Sequence, residues 1–328
     1  MLDDLYQCPR CGGELRRDPE SMQCLSCQQT FGIEDGIPLL FWPTEDPDAD
    51  QEVTETVKSF YEETPFPDYN DFDSVATLVQ RAREGRFARM LDEQIPVQAR
   101  ILEAGCGTAQ LSNFLSIANR DVFACDMCLN SLRLGRRFAR EQNLGRVRFT
   151  QMNLFRPPFK PKSFDLVVSN GVLLTTFDPF LGFRSIAELV RPGGYILIGL
   201  YNTYGRLITD FRRNLFRHTG DRFQFLDPNL RNKEFSQARK RAWFADQYRH
   251  PNETKHTIGE AMRWMDETGF RFIRSLPSSK PFRSFSPSTR LFEPEEPGNK
   301  LERALVQLGM IFTGSREGGF FTVIGRKY

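Results

Sequence analysis

The sequence ILEAGCGTAQL (residues 101–111) decides the fold of this 328-residue chain. Its apolar start predicts a strand, its glycines predict a tight turn, and a helix is expected to begin near Ala109. Gly105 and Gly107 permit backbone conformations that a side chain would forbid, and they let a ligand approach the backbone closely. The stretch therefore predicts a strand–turn–helix corner, either an ordinary one or one built around a ligand.

The spacing of this corner resembles the E-x-G-x-G motif of class I S-adenosylmethionine (SAM)-dependent methyltransferases. Ala109 stands where that family usually has a third glycine, and we expect it to be tolerated if its φ angle stays negative. A nicotinamide site needs G-x-G-x-x-G, and counted from Gly105 the last position is Gln110, so that alternative fails. The resemblance implies an α/β fold with a Rossmann-like sheet, mostly parallel with an antiparallel last strand, and SAM as the cofactor.

Further strand-like segments follow in the order that this family shows. Asp126 ends the second, where a carboxylate can accept hydrogen bonds from both ribose hydroxyls of a nucleoside cofactor. Asn153 replaces the family's usual Asp after the third, and its carbonyl oxygen can still accept a hydrogen bond from adenine. The resemblance implies a SAM site formed by Glu103, Gly105, Gly107, Asp126, Met127, Asn153, Leu154 and Asn170.

Length and composition set broad limits. A chain of 328 residues can hold one large α/β domain and a small module. The formal net charge of +2 shows no global preference for polyanions. The acidic start is unlike a signal peptide, and no apolar run reaches the length of a membrane span. Seven cysteines without an export signal favour thiols or metal ligands over disulfides, so we expect a cytoplasmic protein.

Two C-x-x-C pairs, Cys8 with Cys11 and Cys24 with Cys27, mark residues 1–44 as a zinc ribbon. Four thiolates can close a tetrahedral zinc site that contributes directly to folding. The segment resembles the zinc ribbon of small methyltransferase-activating proteins, here fused to the core. Disulfides or unrelated thiols are the alternative. Whether the ribbon binds RNA, binds protein or only stabilises the fold stays open.

Residues 45–98 are expected to form an acidic linker with helices that lead into the core. The segment that contains Tyr61, Phe66 and Tyr69 is too rich in aromatic residues and prolines to be a disordered tail. They either form a lid over the SAM pocket, as the resemblance implies, or simply dock the linker. An apolar periodicity then predicts one helix from about 74 to 93.

The methyltransferase domain is expected to span residues 99–328, with cap insertions at about 201–257 and 277–316. Residues 204–249 carry eleven basic side chains against five acidic ones, with aromatics between them. That composition suits either an anion-binding cap or a solvated helical surface. His250, Glu253 and His256 cluster at its end. One interpretation is a substrate-contacting loop with His250 or His256 as general base and Glu253 beside the acceptor. The alternative is a structural loop that serves helix capping by Thr257 and local hydrogen bonds. A metal site is disfavoured because Pro251 interrupts any helix that would present all three on one face.

Three functions remain open. The first is methyl transfer to an oxygen or carbon nucleophile of a small-molecule acceptor. Family members that methylate exocyclic amines or amides often carry Asn-Pro-Pro-Tyr or Asp-Pro-Pro-Tyr after the fourth strand. Here the fourth strand is expected to end in Ser-Asn-Gly-Val (residues 169–172), which favours oxygen or carbon. The second is an RNA methyltransferase that uses the ribbon and the basic cap, although the near-neutral charge counts against it. The third is a SAM-binding partner module without transfer activity. The sequence sets neither the acceptor nor the oligomeric state.

Overall fold

The structure, a computed structural model, describes residues 2–44, 47–63, 74–233, 235–283, 285–313 and 318–328. These residues contain eleven strands and eleven α-helices. The strands are Leu15–Arg17 (β1), Ser21–Cys24 (β2), Thr30–Glu34 (β3), Ile37–Leu40 (β4), Arg100–Ala104 (β5), Asp121–Asp126 (β6), Val147–Met152 (β7), Phe164–Asn170 (β8), Val190–Tyr201 (β9), Phe270–Leu276 (β10) and Phe320–Lys327 (β11). The helices are Pro47–Glu63 (α1), Val75–Glu84 (α2), Arg86–Gln94 (α3), Gln110–Ser116 (α4), Leu129–Glu141 (α5), Pro179–Ala187 (α6), Leu207–Thr219 (α7), Pro228–Arg231 (α8), Gln237–Phe244 (α9), Ile258–Glu267 (α10) and Lys300–Thr313 (α11). Phe66 and Tyr69 of the expected lid lie outside the described residues.

The central sheet has the strand order β7-β6-β5-β8-β9-β11-β10. Strands β5 to β9 pair in parallel, whereas β11 runs antiparallel to both β9 and β10. Buried apolar side chains cover both faces of this sheet, as parallel strands require. The predicted Rossmann-like α/β sheet with an antiparallel last strand is confirmed.

The cysteine-rich amino-terminal strands continue this sheet. Strands β1 to β4 form an antiparallel meander, and β4 pairs in parallel with β7 through Leu39 opposite Gln151 and Leu40 opposite Met152. Tyr6 reinforces the join, because its hydroxyl hydrogen-bonds to that of Thr150 at 2.7 Å. The ribbon is thus the outer part of one eleven-stranded sheet.

The turn after β5 has the strained geometry that its glycines suggest. Gly105 has a φ angle of 81°, and a Cβ atom there would lie 2.3 Å from a methyl carbon of Val172. Ala109 also takes the left-handed conformation, with φ at 60° and ψ at 34°. Our expectation of a negative φ angle is wrong, because this turn needs a left-handed residue before α4. Holding Ala there costs roughly 1–2 kcal/mol.

One of the predicted helices is divided in the structure. The single helix expected over 74–93 is divided into α2 and α3, since Gly85 is extended and ends one helix as it begins the next. Helix α10 begins with a capping box between Thr257 and Glu260. Between β9 and α10, helices α7 to α9 form the first cap. No described helix has both the length and the apolar character needed to cross a bilayer.

Candidate functional site

A cavity of about 1020 Å³ opens beyond the carboxyl ends of the parallel strands. Open α/β sheets bind ligands at this edge. All eight residues predicted to contact the cofactor line it, and together they define its cofactor end: Glu103, Gly105, Gly107, Asp126, Met127, Asn153, Leu154 and Asn170. The opposite part, here named the cap end, is lined by Tyr61, Tyr201, Asp246, Gln247, His250 and Glu253.

Asp126 ends β6 with its carboxylate fixed by the backbone. One oxygen accepts the Gly107 N–H at 2.8 Å and the other accepts the Cys128 N–H at 2.9 Å. Each oxygen keeps a further lone pair for a ligand hydroxyl. Burial raises the pKa of Asp126, and the backbone N–H groups of Cys128, Gly107 and Met127 oppose that shift. The carboxylate is therefore oriented before any ligand arrives.

Glu103, near the end of β5, is buried. Its carboxylate accepts a hydrogen bond from the Ser112 hydroxyl. Burial raises the pKa of Glu103 to about 7, and the nearby Asp126 charge adds to the rise. A cationic ligand group beside these two carboxylates would favour their ionised forms. The cofactor end is thus electrostatically suited to a positive ligand.

Asn153 connects the cofactor end to the ribbon. Its side-chain oxygen accepts the Phe155 N–H at 3.0 Å, and its amide group donates to the carbonyl of Trp42 at 2.9 Å. Phe41, the neighbour of Trp42, lines the cavity as well. The predicted adenine contact would use the remaining lone pair of the Asn153 oxygen. The last residues of the ribbon segment are therefore part of the cofactor end.

A buried ion-pair cluster supports the cap end. The guanidinium of Arg206 holds Glu253 in two bonds of 2.8 and 2.6 Å, and Arg213 holds the same carboxylate at 2.6 Å. Arg206 is fully buried and lies 3.7 Å from the ring centroid of Tyr201. Burial alone would raise the pKa of Glu253, but the two arginines outweigh it and lower that pKa. Glu253 is consequently held by these arginines while it lines the cavity, and its predicted contact with the acceptor stays a prediction.

Gln247 links this cluster to Asp246 by hydrogen bonds. Its oxygen accepts a hydrogen bond from Arg206. Its amide group donates to the Tyr201 hydroxyl at 2.6 Å and to Asp246 at 2.8 Å. Tyr61 approaches the other Asp246 oxygen at 3.4 Å from α1. Tyr61 thus lines the cap end, and its role as a lid residue stays a prediction.

The two candidate histidines occupy different environments. His250 lines the cavity, with ring centroids 5.2 Å from Phe60 and 5.6 Å from Tyr61. Its Nδ1 accepts the Asn252 N–H at 3.3 Å, while Nε2 is buried without a hydrogen-bond partner among the described residues. Burial lowers the pKa of His250, and the Asp246 charge opposes that shift.

His256 lies outside the residues that line the cavity. Its Nε2 is 2.9 Å from the Thr254 hydroxyl, its Nδ1 is 3.1 Å from Glu260, and its ring packs on Trp264. These contacts give it a structural place at the start of α10. We therefore do not retain His256 as a general base.

The four cysteines of the ribbon converge. Their Sγ atoms all lie within 4.8 Å of one another, with 3.7 Å between Cys8 and Cys27 and 3.5 Å between Cys11 and Cys24. A tetrahedral zinc with Zn–S bonds of about 2.3 Å separates its sulfurs by about 3.8 Å. The donor set and the spacing both fit zinc.

Sequence reasoning missed Arg206, Gln247 and Asp246 as residues of the cap end and its support. Arg206 was one of eleven basic residues in the cap, and nothing local distinguishes it. The four-residue spacing of Asp246 and His250, which brings two side chains together on a helix, was the one available signal.

Comparison with known proteins agrees with this geometry. Residues 102–198 match a family described as a methyltransferase domain. An uncharacterised protein of a Synechococcus species is 28% identical over 198 residues, which cover 53% of this chain and 48% of that protein. The ubiquinone biosynthesis O-methyltransferase of Aeromonas salmonicida is 34% identical over 104 residues, covering 31% of this chain and 43% of that enzyme.

The chain thus spans about half the length of the curated relatives it matches. Among solved structures, PKMT2 from Rickettsia typhi superposes with a TM-score of 0.51 at 14% identity, covering 73% of this chain and 52% of that one. This likeness concerns the fold. Residues 102–198 are therefore similar in sequence to a methyltransferase domain, and they lie within a Rossmann-like sheet.

Proposed function

We propose that this chain is a SAM-dependent methyltransferase that acts on an oxygen or carbon nucleophile of a small molecule. The observation that carries the proposal is a continuous cavity, which joins a cofactor end of the expected composition to an aromatic, polar cap end. SAM supplies an electrophilic methyl group on a positively charged sulfur. The chain holds donor and acceptor in line and excludes water, which accounts for much of the barrier reduction in such reactions.

The residues of the cofactor end fit SAM. Asp126 offers two oriented carboxylate oxygens to a ribose, and Glu103 and Asp126 together suit a cation. Met127 and Leu154 supply apolar surface for an adenine ring. Asn170, at the end of β8, lies at the strand end beyond which the methyl group is expected.

The cap end supports a small acceptor. Its volume, shared with the cofactor end, falls in the range of small-molecule sites. Two cap arginines, Arg206 and Arg213, are bound to Glu253 instead of forming a basic surface for RNA. The quinone-related names of several relatives point the same way. A cytoplasmic location stays a prediction from the sequence.

We further propose that Cys8, Cys11, Cys24 and Cys27 hold one zinc ion with a structural role. Strand β4 leaves this cluster and pairs directly with β7, so an ordered ribbon supports the edge of the sheet. Metal ligation and folding are coupled in sites of this kind.

Two measurements test the proposed function. Calorimetry with S-adenosylhomocysteine reports binding at the cofactor end, and methyl-labelled SAM with a fractionated cell extract reports transfer. Label in low-molecular-weight products supports the proposal, whereas label in RNA favours the second function. Binding without transfer to any fraction would leave a SAM-binding partner module.

A further inference from the structure

We propose that Asp246 is the group that removes the proton from the acceptor, and that the acceptor is a neutral hydroxyl or enol compound. This inference rests on the proposed function and specifies the chemistry of its cap end. Asp246 lines the cavity at the end of α9, where the chain continues as a single π-helical turn over Ala245–Arg249.

The other titratable groups at the cap end are unsuited to this role. Glu253 is neutralised by Arg206 and Arg213 at 2.6 Å each. Burial raises the pKa of both Tyr61 and Tyr201, which keeps their hydroxyls protonated.

His250 is unsuited for a different reason. Its Nδ1 accepts the Asn252 N–H, so the neutral ring carries its proton on Nε2. A neutral imidazole with a committed Nδ1 and a protonated Nε2 is a hydrogen-bond donor. His250 therefore provides a donor beside Asp246 in place of the general base that the sequence suggested.

Asp246 has the geometry that a proton acceptor needs. Gln247 fixes one of its oxygens at 2.8 Å, and Gln247 is itself held by Arg206. Within the part of the chain that the structure describes, the other oxygen has a single, long contact of 3.4 Å with the Tyr61 hydroxyl, which leaves it available to an acceptor hydroxyl. Burial raises the pKa of Asp246 and the Glu253 charge adds to the rise, whereas a protonated His250 ring, the Gln247 hydrogen bond and the Arg206 charge act against it. A carboxylate made more basic in this way is a better general base.

The charge distribution selects a neutral acceptor. The two arginines packed behind the cap end, Arg206 and Arg213, are both engaged by Glu253, and neither lines the cavity. An acceptor that arrives as an anion would meet the Asp246 carboxylate, which repels it. An acceptor that keeps its proton until it reaches Asp246 meets no such barrier.

The step balances simply. The acceptor O–H proton moves to Asp246 while the oxygen's electron pair forms the new bond to the methyl carbon. The methyl–sulfur bond breaks and leaves its pair on sulfur, which loses its positive charge. Asp246 then releases the proton to solvent. For an enol, the electron pair is delivered through carbon and the same proton leaves the oxygen.

The test compares two phenols with the full chain and methyl-labelled SAM. Catechol is protonated at neutral pH, whereas 4-nitrocatechol ionises readily and needs little help from a base. The variants are Asp246→Asn, Asp246→Glu and, as a control, Asp210→Asn. Asp210 is a cap carboxylate that pairs with Lys255 and does not line the cavity. Calorimetry with S-adenosylhomocysteine confirms that each variant retains the cofactor end.

We expect D246N to lower kcat for catechol by about 10²–10⁴-fold at unchanged S-adenosylhomocysteine affinity. The loss with 4-nitrocatechol should be at least tenfold smaller. D246E should recover part of the catechol rate and shift the acidic limb of its pH profile, whereas D210N should match the unmodified chain. If D246N does not fold, the D246E pH profile alone decides the outcome.

Three results would overturn the inference. The first is that D246N retains more than a third of the kcat for catechol. The second is that D246N lowers kcat by the same factor for both phenols, as expected for a residue with a structural role. The unmodified chain could also transfer label to extract compounds but to neither phenol, which would leave the proposed function intact. Absence of transfer to every acceptor would instead remove the proposed function itself.

Discussion

Replacing Arg206 with Met tests whether the cap is held together by its buried ion-pair cluster. The substitution keeps an apolar stem against Tyr201 and removes the guanidinium. Glu253 retains Arg213, so no buried carboxylate is left without a partner. Gln247 and Gly318, however, each lose the donor that Arg206 supplies to their oxygens. A buried acceptor without its donor costs about 1–3 kcal/mol, so we expect a loss of about 2–6 kcal/mol in the free energy of unfolding.

Urea denaturation at neutral pH measures this loss. Arg217→Met on the exposed side of the same helix α7 is the matched control and should change stability by less than about 0.5 kcal/mol. A loss below about 1 kcal/mol for R206M would refute the reasoning, because the orphaned oxygens would then have found other donors.

The difference in unfolding free energy between R206M and the unmodified chain should decrease as the pH falls. The pKa of Glu253 is lowered in the folded chain, so its ion pairs contribute stability above the ordinary Glu pKa and lose it as the pH falls through the folded value. R206M removes one of the two cations responsible. We therefore expect the gap between R206M and the unmodified chain to be widest at neutral pH and to narrow below about pH 4. A gap that is constant with pH would contradict this account.

Three further predictions concern the cofactor end and the ribbon. Asp126→Ala should weaken S-adenosylhomocysteine binding by about 1.5–3 kcal/mol in calorimetry, since it removes charged acceptors; unchanged affinity would place the ribose elsewhere. Cys24→Ser should lose zinc in metal analysis and also weaken S-adenosylhomocysteine binding, because β4 and Phe41 connect the ribbon to the cavity; a zinc-free chain with full affinity would disprove that connection. Ala109→Gly should be neutral or stabilise by up to about 1.5 kcal/mol, as relief of roughly 1–2 kcal/mol of strain exceeds the entropy cost of Gly; clear destabilisation would contradict the left-handed assignment.

The cofactor end could be predicted from sequence because its residues sit at strand ends that local patterns reveal. Asp126 and Asn170 each close an apolar strand, and parallel strands bring their carboxyl ends to one edge. The φ angle of Ala109 was missed for a local reason, since propensity disfavours Ala in a left-handed turn that the fold nevertheless imposes.

The cap end and the ribbon junction could not be predicted because they depend on distant pairs. Arg206 meets Glu253 across 47 residues, and Asn153 meets Trp42 across 111. No periodicity encodes either contact. The choice between His250 and His256 likewise required the path of the chain before α10, which decides which ring lines the cavity.

The junction of β4 with β7 also has a consequence for solubility. Without the ribbon, β7 would be an edge strand with a free row of backbone donors and acceptors, which is a template for aggregation. With the ribbon in place, the sheet ends on this side at β1, only three residues long and carrying two exposed arginines, Arg16 and Arg17. A short, charged edge resists pairing with other chains. Loss of the ribbon's order would thus expose β7 as an aggregation-prone edge strand of an otherwise folded sheet.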